Sequence, residues 1–133
     1  MTYYIDANVF IFAILDAEEI GDRCRSLLTK IKNNAFEAAT SSLTFDEIAW
    51  SVKKHKGSDA SLYAGEYFLK MPNLLLLPAT KGTMIEASKI IKEYSLDPRD
   101  AIHAATCLLN NISVMISDDP DFDSLTFLKR KPI

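Results

Sequence analysis

Four short apolar runs, Tyr3 to Ile5, Ala38 to Thr40, Leu74 to Pro78 and Ile112 to Ile116, are separated by long segments of helical period, and this alternation constrains the fold most. Runs this short, bounded by turn or cap signals, suit strands buried on both faces of a parallel sheet. Asp16 to Asn33 repeats apolar residues at Ile20, Cys24, Leu27, Leu28 and Ile31 and ends in Asn33-Asn34, a helix C-terminal signal. Leu43 to His55 reads the same way and is stopped by Gly57. Ser58 is expected to cap a further helix through Lys70, broken by Met71-Pro72-Asn73, and Thr80 to Tyr94 forms another amphipathic segment. The strongest helix start is Asp97-Pro98-Arg99-Asp100, with a capping residue, proline at the first helical position and a carboxylate in the first turn, ahead of Ala101 to Leu109. The alternation predicts an α/β fold with a mainly parallel sheet and helices on both faces.

With 133 residues and 48% hydrophobic content, one domain spanning residues 1–133 can close a core without staples. No run approaches the roughly 18 apolar residues of a membrane span, and Asp6 interrupts the region where a signal peptide would be apolar, so a cytoplasmic protein without membrane contact is expected. Cys24 and Cys107 lie in apolar helical patterns without zinc-site spacing and are read as reduced core residues. The formal charge of −3 argues against a duplex-DNA binder with a net basic face. It leaves RNA open, because a bound cation reverses the field around clustered acids.

In an open parallel sheet ligands bind beyond the carboxyl ends of the strands, so the residues directly after each apolar run are the ones to inspect. Asp6 ends the first run in Tyr-Ile-Asp-Ala-Asn, and Asp118, Asp119 and Asp121 follow the last in Ser-Asp-Asp-Pro-Asp. Glu47 and Asp100 are expected on the first turns of helices that would begin near the same edge. Converging carboxylates repel one another and are tolerated with a cation or with raised pKa values. Oxygen-only ligands select hard ions, so Mg²⁺ or Mn²⁺ is the expected occupant and phosphodiester hydrolysis the implied chemistry. Each acid also has a plainer role: Asp6 can cap the next helix, Asp100 can complement a helix dipole, Asp97 is most simply an N-cap, and Glu47 beside Asp46 can be a solvated surface acid. His103 reads as a packed or hydrogen-bonded histidine rather than a general base.

These segments together resemble the PIN domains, and among them the small VapC-like toxin ribonucleases and their archaeal relatives. The opening Tyr-Ile-Asp-Ala-Asn-Val-Phe is similar to the family's first motif, which gives Asp6 a metal-ligand role and Asn8 a neighbouring polar one. Thr44-Phe-Asp-Glu-Ile resembles the second motif and selects Glu47. Pro98-Arg-Asp-Ala-Ile-His-Ala-Ala resembles the third, the most specific, and selects Asp100. Ser117-Asp-Asp-Pro-Asp-Phe resembles the fourth, with Asp119 as the site acid, Ser117 as an orienting hydroxyl and Asp121 as a peripheral acid. The resemblance covers nearly the whole chain. It implies a three-layer α/β/α fold, a Mg²⁺ or Mn²⁺ site held by Asp6, Asp100 and Asp119 with Glu47 completing the catalytic set, cleavage of RNA, frequent homodimers, and a cognate antitoxin as partner.

A toxin role and a housekeeping RNA-processing role use the same site and are not separated by these residues, and two further readings compete with a ribonuclease. A phospho-receiver would place a lysine at the end of a late strand, and a haloacid-type phosphatase would place a second aspartate where this chain has Asn8. A non-catalytic RNA- or protein-binding domain would be favoured by loss of one of the four acids, and all four are present. Basic runs at Lys53, Lys54 and Lys56 and at Lys129, Arg130 and Lys131 read as solubilising or dipole-complementing before they read as RNA contacts. Phe45, Trp50 and Tyr63 are expected to pack in a core or a dimer contact.

Overall fold

A computed structural model describes all residues, 1–133. The elements in chain order are β1 (Thr2–Ile5), α1 (Ala7–Leu15), α2 (Glu19–Lys32), β2 (Glu37–Ser41), α3 (Leu43–Lys56), α4 (Ser58–Leu69), β3 (Leu74–Leu77), α5 (Lys81–Tyr94), α6 (Pro98–Leu109), β4 (Val114–Ile116), a 3-10 turn (Pro120–Ser124) and β5 (Lys129–Lys131). The strands form one parallel sheet in the order β3-β2-β1-β4-β5.

Strand pleating sorts the core into two halves. Tyr4 pairs in register with Ala39 on one side and Met115 on the other, and all three face α5, α6 and the buried Phe122. The next residues along, Ile5 and Ile116, pair with each other and turn to the opposite face, where they meet Val9, Phe10, Cys24, Ile48 and Phe68 from α1 to α4. The result is the three-layer α/β/α arrangement. Each fully buried Ile or Phe in these layers contributes about 1.5–3 kcal/mol of transfer free energy. Cys24 and Cys107 are free, buried, and on opposite sides of the sheet, and burial pushes both thiols above their ordinary range, Cys24 to about 11. No helix is long and apolar enough to cross a membrane.

Several local expectations need correction. The helix expected from Asp16 begins only at Glu19, and the helix that Asp6 caps is a separate one, α1, which ends at Leu15. Ser58 is the first helical residue of α4 rather than its cap; Gly57 takes the cap position with φ at +90°, which glycine adopts without strain. The run Lys129 to Lys131 is an edge strand, where charged side chains deter pairing with another sheet. Of the two placements expected for Phe45, Trp50 and Tyr63, the core is excluded: all three are exposed on α3 and α4, Tyr63 by 73%.

The α1-α2 junction depends on a close approach. Asp16 accepts hydrogen bonds from the Glu18 and Gly21 N–H groups at 3.0 and 2.8 Å, and a Cβ on Gly21 would lie 2.0 Å from the Asp16 carbonyl oxygen. Backbone must move to admit it, so Gly21→Ala is expected to destabilise the fold by about 1–3 kcal/mol, read as a lower urea midpoint at unchanged slope. An unchanged midpoint would show that the junction has slack.

Candidate metal centre

β1 and β4 lie side by side although β2 and β3 come between them in the chain, so the order of the sheet reverses between them. At such a switch point the connections leave in opposite directions and a crevice opens beyond the carboxyl ends. Asp6 directly follows β1 there, its N–H donating to the Ile116 carbonyl at 3.1 Å, and Ser117 to Asp119 directly follow β4. The first turn of α6 brings in Asp100.

Asp100, Asp119 and Asp121 each offer a carboxylate oxygen, and these oxygens all lie within 4.8 Å of one another. Local bonding explains the placement of two of them. Asp119 accepts from the Asp121 N–H at 2.9 Å, which sets the short spacing between these acids, and buried Phe122 anchors the turn that follows. Asp121, read from the sequence as peripheral, is thus one of the clustered three.

Asp6 is not in that trio. It is 5% exposed, its Oδ1 accepts from the Ala7 N–H at 2.7 Å as the N-cap of α1, and its Oδ2 accepts from the Ser117 hydroxyl at 2.6 Å. Ser117 Oγ in turn accepts from Asn8 Nδ2 at 3.2 Å and from the Asp119 N–H at 3.0 Å. One hydroxyl therefore ties Asp6, Asn8 and Asp119 together. Burial raises the Asp6 pKa, against the opposing pull of His103 and the Ser117 hydrogen bond.

Glu47 lies in the second turn of α3 and is turned toward His103, to whose Nε2 it is hydrogen-bonded. The fully buried imidazole also meets the Tyr4 hydroxyl through Nδ1, and that hydroxyl accepts from the Ser41 N–H at 3.1 Å. His103 Nε2 stands 3.9 Å from Asp6 Oδ1, so one ring faces two acids. Burial alone would favour the neutral ring, but the Glu47 hydrogen bond and the charges of Glu47, Asp6 and Asp100 outweigh it and the His103 pKa is raised. His103 is thus the packed, hydrogen-bonded histidine its sequence context suggests, while its partners Tyr4 and Glu47 are too distant in sequence for any local pattern to name. Asp97 occupies the N-cap backbone position of α6 without a side-chain capping bond.

The donor set fits a hard divalent cation. Oxygens about 2.1 Å from a six-coordinate Mg²⁺ are roughly 3 to 4 Å apart, so the trio needs only small side-chain adjustments. Asn8 Oδ1 is buried without a hydrogen-bond partner beside this network. Burial, then the charges of Asp119, Asp6 and Asp97, push the Asp100 carboxyl up to about 7, with His103 opposing, which is the signature of negative charge awaiting compensation.

A pH dependence follows. The folded state binds the Asp100 proton more tightly than the unfolded chain, so this group's contribution to stability is lost as pH rises from the ordinary carboxylate range through about 7. A cation must displace that proton, so below pH 7 its affinity should fall by about tenfold per unit. The rise in melting temperature caused by Mn²⁺ is therefore expected to be small at pH 5 and large at pH 8. An equal rise at both would contradict the assignment of Asp100 to the centre.

No curated protein sequence is significantly similar to the chain. Solved structures are similar in fold over nearly the whole length. VapBC2 from Rickettsia felis, bound to a DNA fragment from its promoter, aligns with a TM-score of 0.76 at 18% identity over 99% of this chain and 98% of that one. VapC20 from Mycobacterium tuberculosis, a toxin that cleaves the sarcin-ricin loop, gives 0.79 at 14% identity over 96% and 97%. DNA-bound VapBC from Salmonella typhimurium gives 0.74 at 18% over 99% and 98%. The PIN domain family matches residues 3–128, a span that contains the trio, Asp6 and Glu47, and on that match the chain belongs to the PIN-domain family.

Proposed function

We propose that the protein is a Mg²⁺- or Mn²⁺-dependent endoribonuclease acting as the toxin of a toxin-antitoxin pair. The observation that carries this reading is the convergence of Asp100, Asp119 and Asp121 at the switch point between β1 and β4, in a fold of VapC type. Asp100 and Asp119 would hold the cation together with Asp121, and Asp6 retains free lone pairs with which to join them from the floor of the crevice. When bound, the cation would neutralise charge on the phosphate oxygens and favour ionisation of the attacking water. Glu47, held by His103, orients that water, and Ser117 and Asn8 keep Asp6 and Asp119 in register.

The R. felis and S. typhimurium VapBC structures are bound to DNA, and a related structure from Klebsiella pneumoniae is a toxin-antitoxin complex. These support an antitoxin as the protein partner, and VapC20, a toxin that cleaves the sarcin-ricin loop, supports RNA as the substrate. The exposed Phe45, Trp50, Leu62 and Tyr63 on α3 and α4 give a second copy of the chain an apolar surface to cover, in keeping with a homodimer. Labelled single-stranded RNA incubated with the purified protein should be cut with Mn²⁺ or Mg²⁺ and left intact with chelator. Intact RNA at saturating Mn²⁺, with structured ribosomal RNA included among the substrates, would overturn the nuclease reading.

A further inference from the structure

Two of the three clustered carboxylates, Asp119 and Asp121, stand on the segment between Ser117 and Ser124, which the Ser117 hydroxyl and buried Phe122 hold from one side and the edge strand β5 holds from the other. Its backbone runs parallel to β4, with the Lys129 N–H donating to the Ser113 carbonyl at 2.8 Å and the Ser117 N–H donating to the Lys131 carbonyl at 3.1 Å. Between two exposed lysines, Arg130 is the half-buried residue of the strand. Its guanidinium donates from Nη1 to the Ser117 carbonyl at 3.1 Å and from Nε and Nη2 to the two oxygens of Asp123 at 2.9 and 3.0 Å. One planar group therefore grips both ends of the acid-bearing segment. The bonds inside the turn, Asp121 N–H to Asp119 and the Ser124 hydroxyl to the Asp121 carbonyl, set its shape but do not fix it to the sheet.

We propose that Arg130 is a positioning residue, which holds the Asp119-Asp121 turn at the separation from Asp100 that a divalent cation requires. The inference rests on the trio being a metal centre. It also reaches past the family match, which ends at Leu128, just before this strand begins. A guanidinium suits the task because it offers several donors in a fixed fork; a lysine at the same place could reach one of the three acceptors. Removing partners that orient metal ligands typically costs about 10–100-fold in metal affinity.

Electrostatics alone predicts the opposite sign. Deleting a cation beside three carboxylates should tighten the binding of a divalent ion, so a weakening can come only from the loss of geometry. Mn²⁺ affinity measured by calorimetry at pH 8 on the full chain is the test, with circular dichroism melting to verify folding. Arg130→Ala is expected to weaken Mn²⁺ by about tenfold or more, and Arg130→Lys, which keeps the charge and loses the fork, to weaken it by a smaller factor. Saturating Mn²⁺ should restore most of the RNA cleavage rate, since the variant loses metal rather than chemistry. If Arg130→Ala does not fold, Arg130→Lys carries the test. Mn²⁺ binding at or above the wild-type affinity in the folded variants would overturn the positioning role while leaving the metal centre standing; no Mn²⁺ binding by the wild-type chain would overturn both.

Discussion

With Asp100 replaced by asparagine, metal-dependent RNA cleavage is expected to fall at least about a thousandfold while the metal-free protein melts at a higher temperature. The two effects have one cause. A thousandfold corresponds to about 4 kcal/mol of transition-state stabilisation, the scale at which a cation acts on a phosphate. In the absence of metal the same carboxylate is a burden: burial and the charges of Asp119, Asp6 and Asp97 hold its pKa near 7, so at pH 8 it is ionised at a cost that asparagine does not carry. A residue with a purely structural role would lose activity and stability together. Cleavage rates with Mn²⁺ and calorimetric melting with chelator at pH 8 separate the cases; retained activity would remove Asp100 from the centre.

His103→Ala is expected to be the most damaging single change to stability, at about 3–5 kcal/mol, because it strips partners from buried polar groups as well as leaving a cavity. Tyr4 would lose its ring partner, and Glu47 and Asp6 would face one another with no imidazole between them. A loss of this size lowers the melting temperature of a chain of this length by more than about 10 °C. His103→Gln, which can still reach one of the two partners, should recover part of it. Urea midpoints at constant slope give the comparison, and a loss below about 1 kcal/mol in the alanine variant would show that the Tyr4-His103-Glu47 row carries little energy.

Much of the fold was legible because its signals are local. Asp97-Pro98 marks the start of α6 through backbone rules that tertiary contacts do not override, and Thr80 caps α5 with a reciprocal bond to Thr83. The acids after β1 and β4 could be read as neighbours because parallel strands bring their carboxyl ends to one edge. Failures occurred where the signal was absent or non-local. α1 is apolar on nearly every side, so its sequence has no helical stripe to detect. β5 is three charged residues whose strand character comes from pairing with β4. Trp50 and Tyr63 look like core residues by type, yet α3 and α4 already bury Ile48, Val52, Ala64 and Phe68 and leave the aromatics outside. In the site, motif order singled out the acids, but their division of labour depends on hydrogen bonds between residues about a hundred positions apart, such as Tyr4 with His103 and Ser117 with Asp6. No local pattern encodes those.

Anomalous diffraction from crystals grown with Mn²⁺ tests most directly whether the three carboxylates, drawn from two separate segments, form one divalent-cation centre. An anomalous peak is expected among the carboxylates of Asp100, Asp119 and Asp121, absent from crystals of Asp119→Asn grown under the same conditions. A wild-type crystal at saturating Mn²⁺ with no peak among these residues, or with its ordered Mn²⁺ elsewhere on the surface, would contradict it.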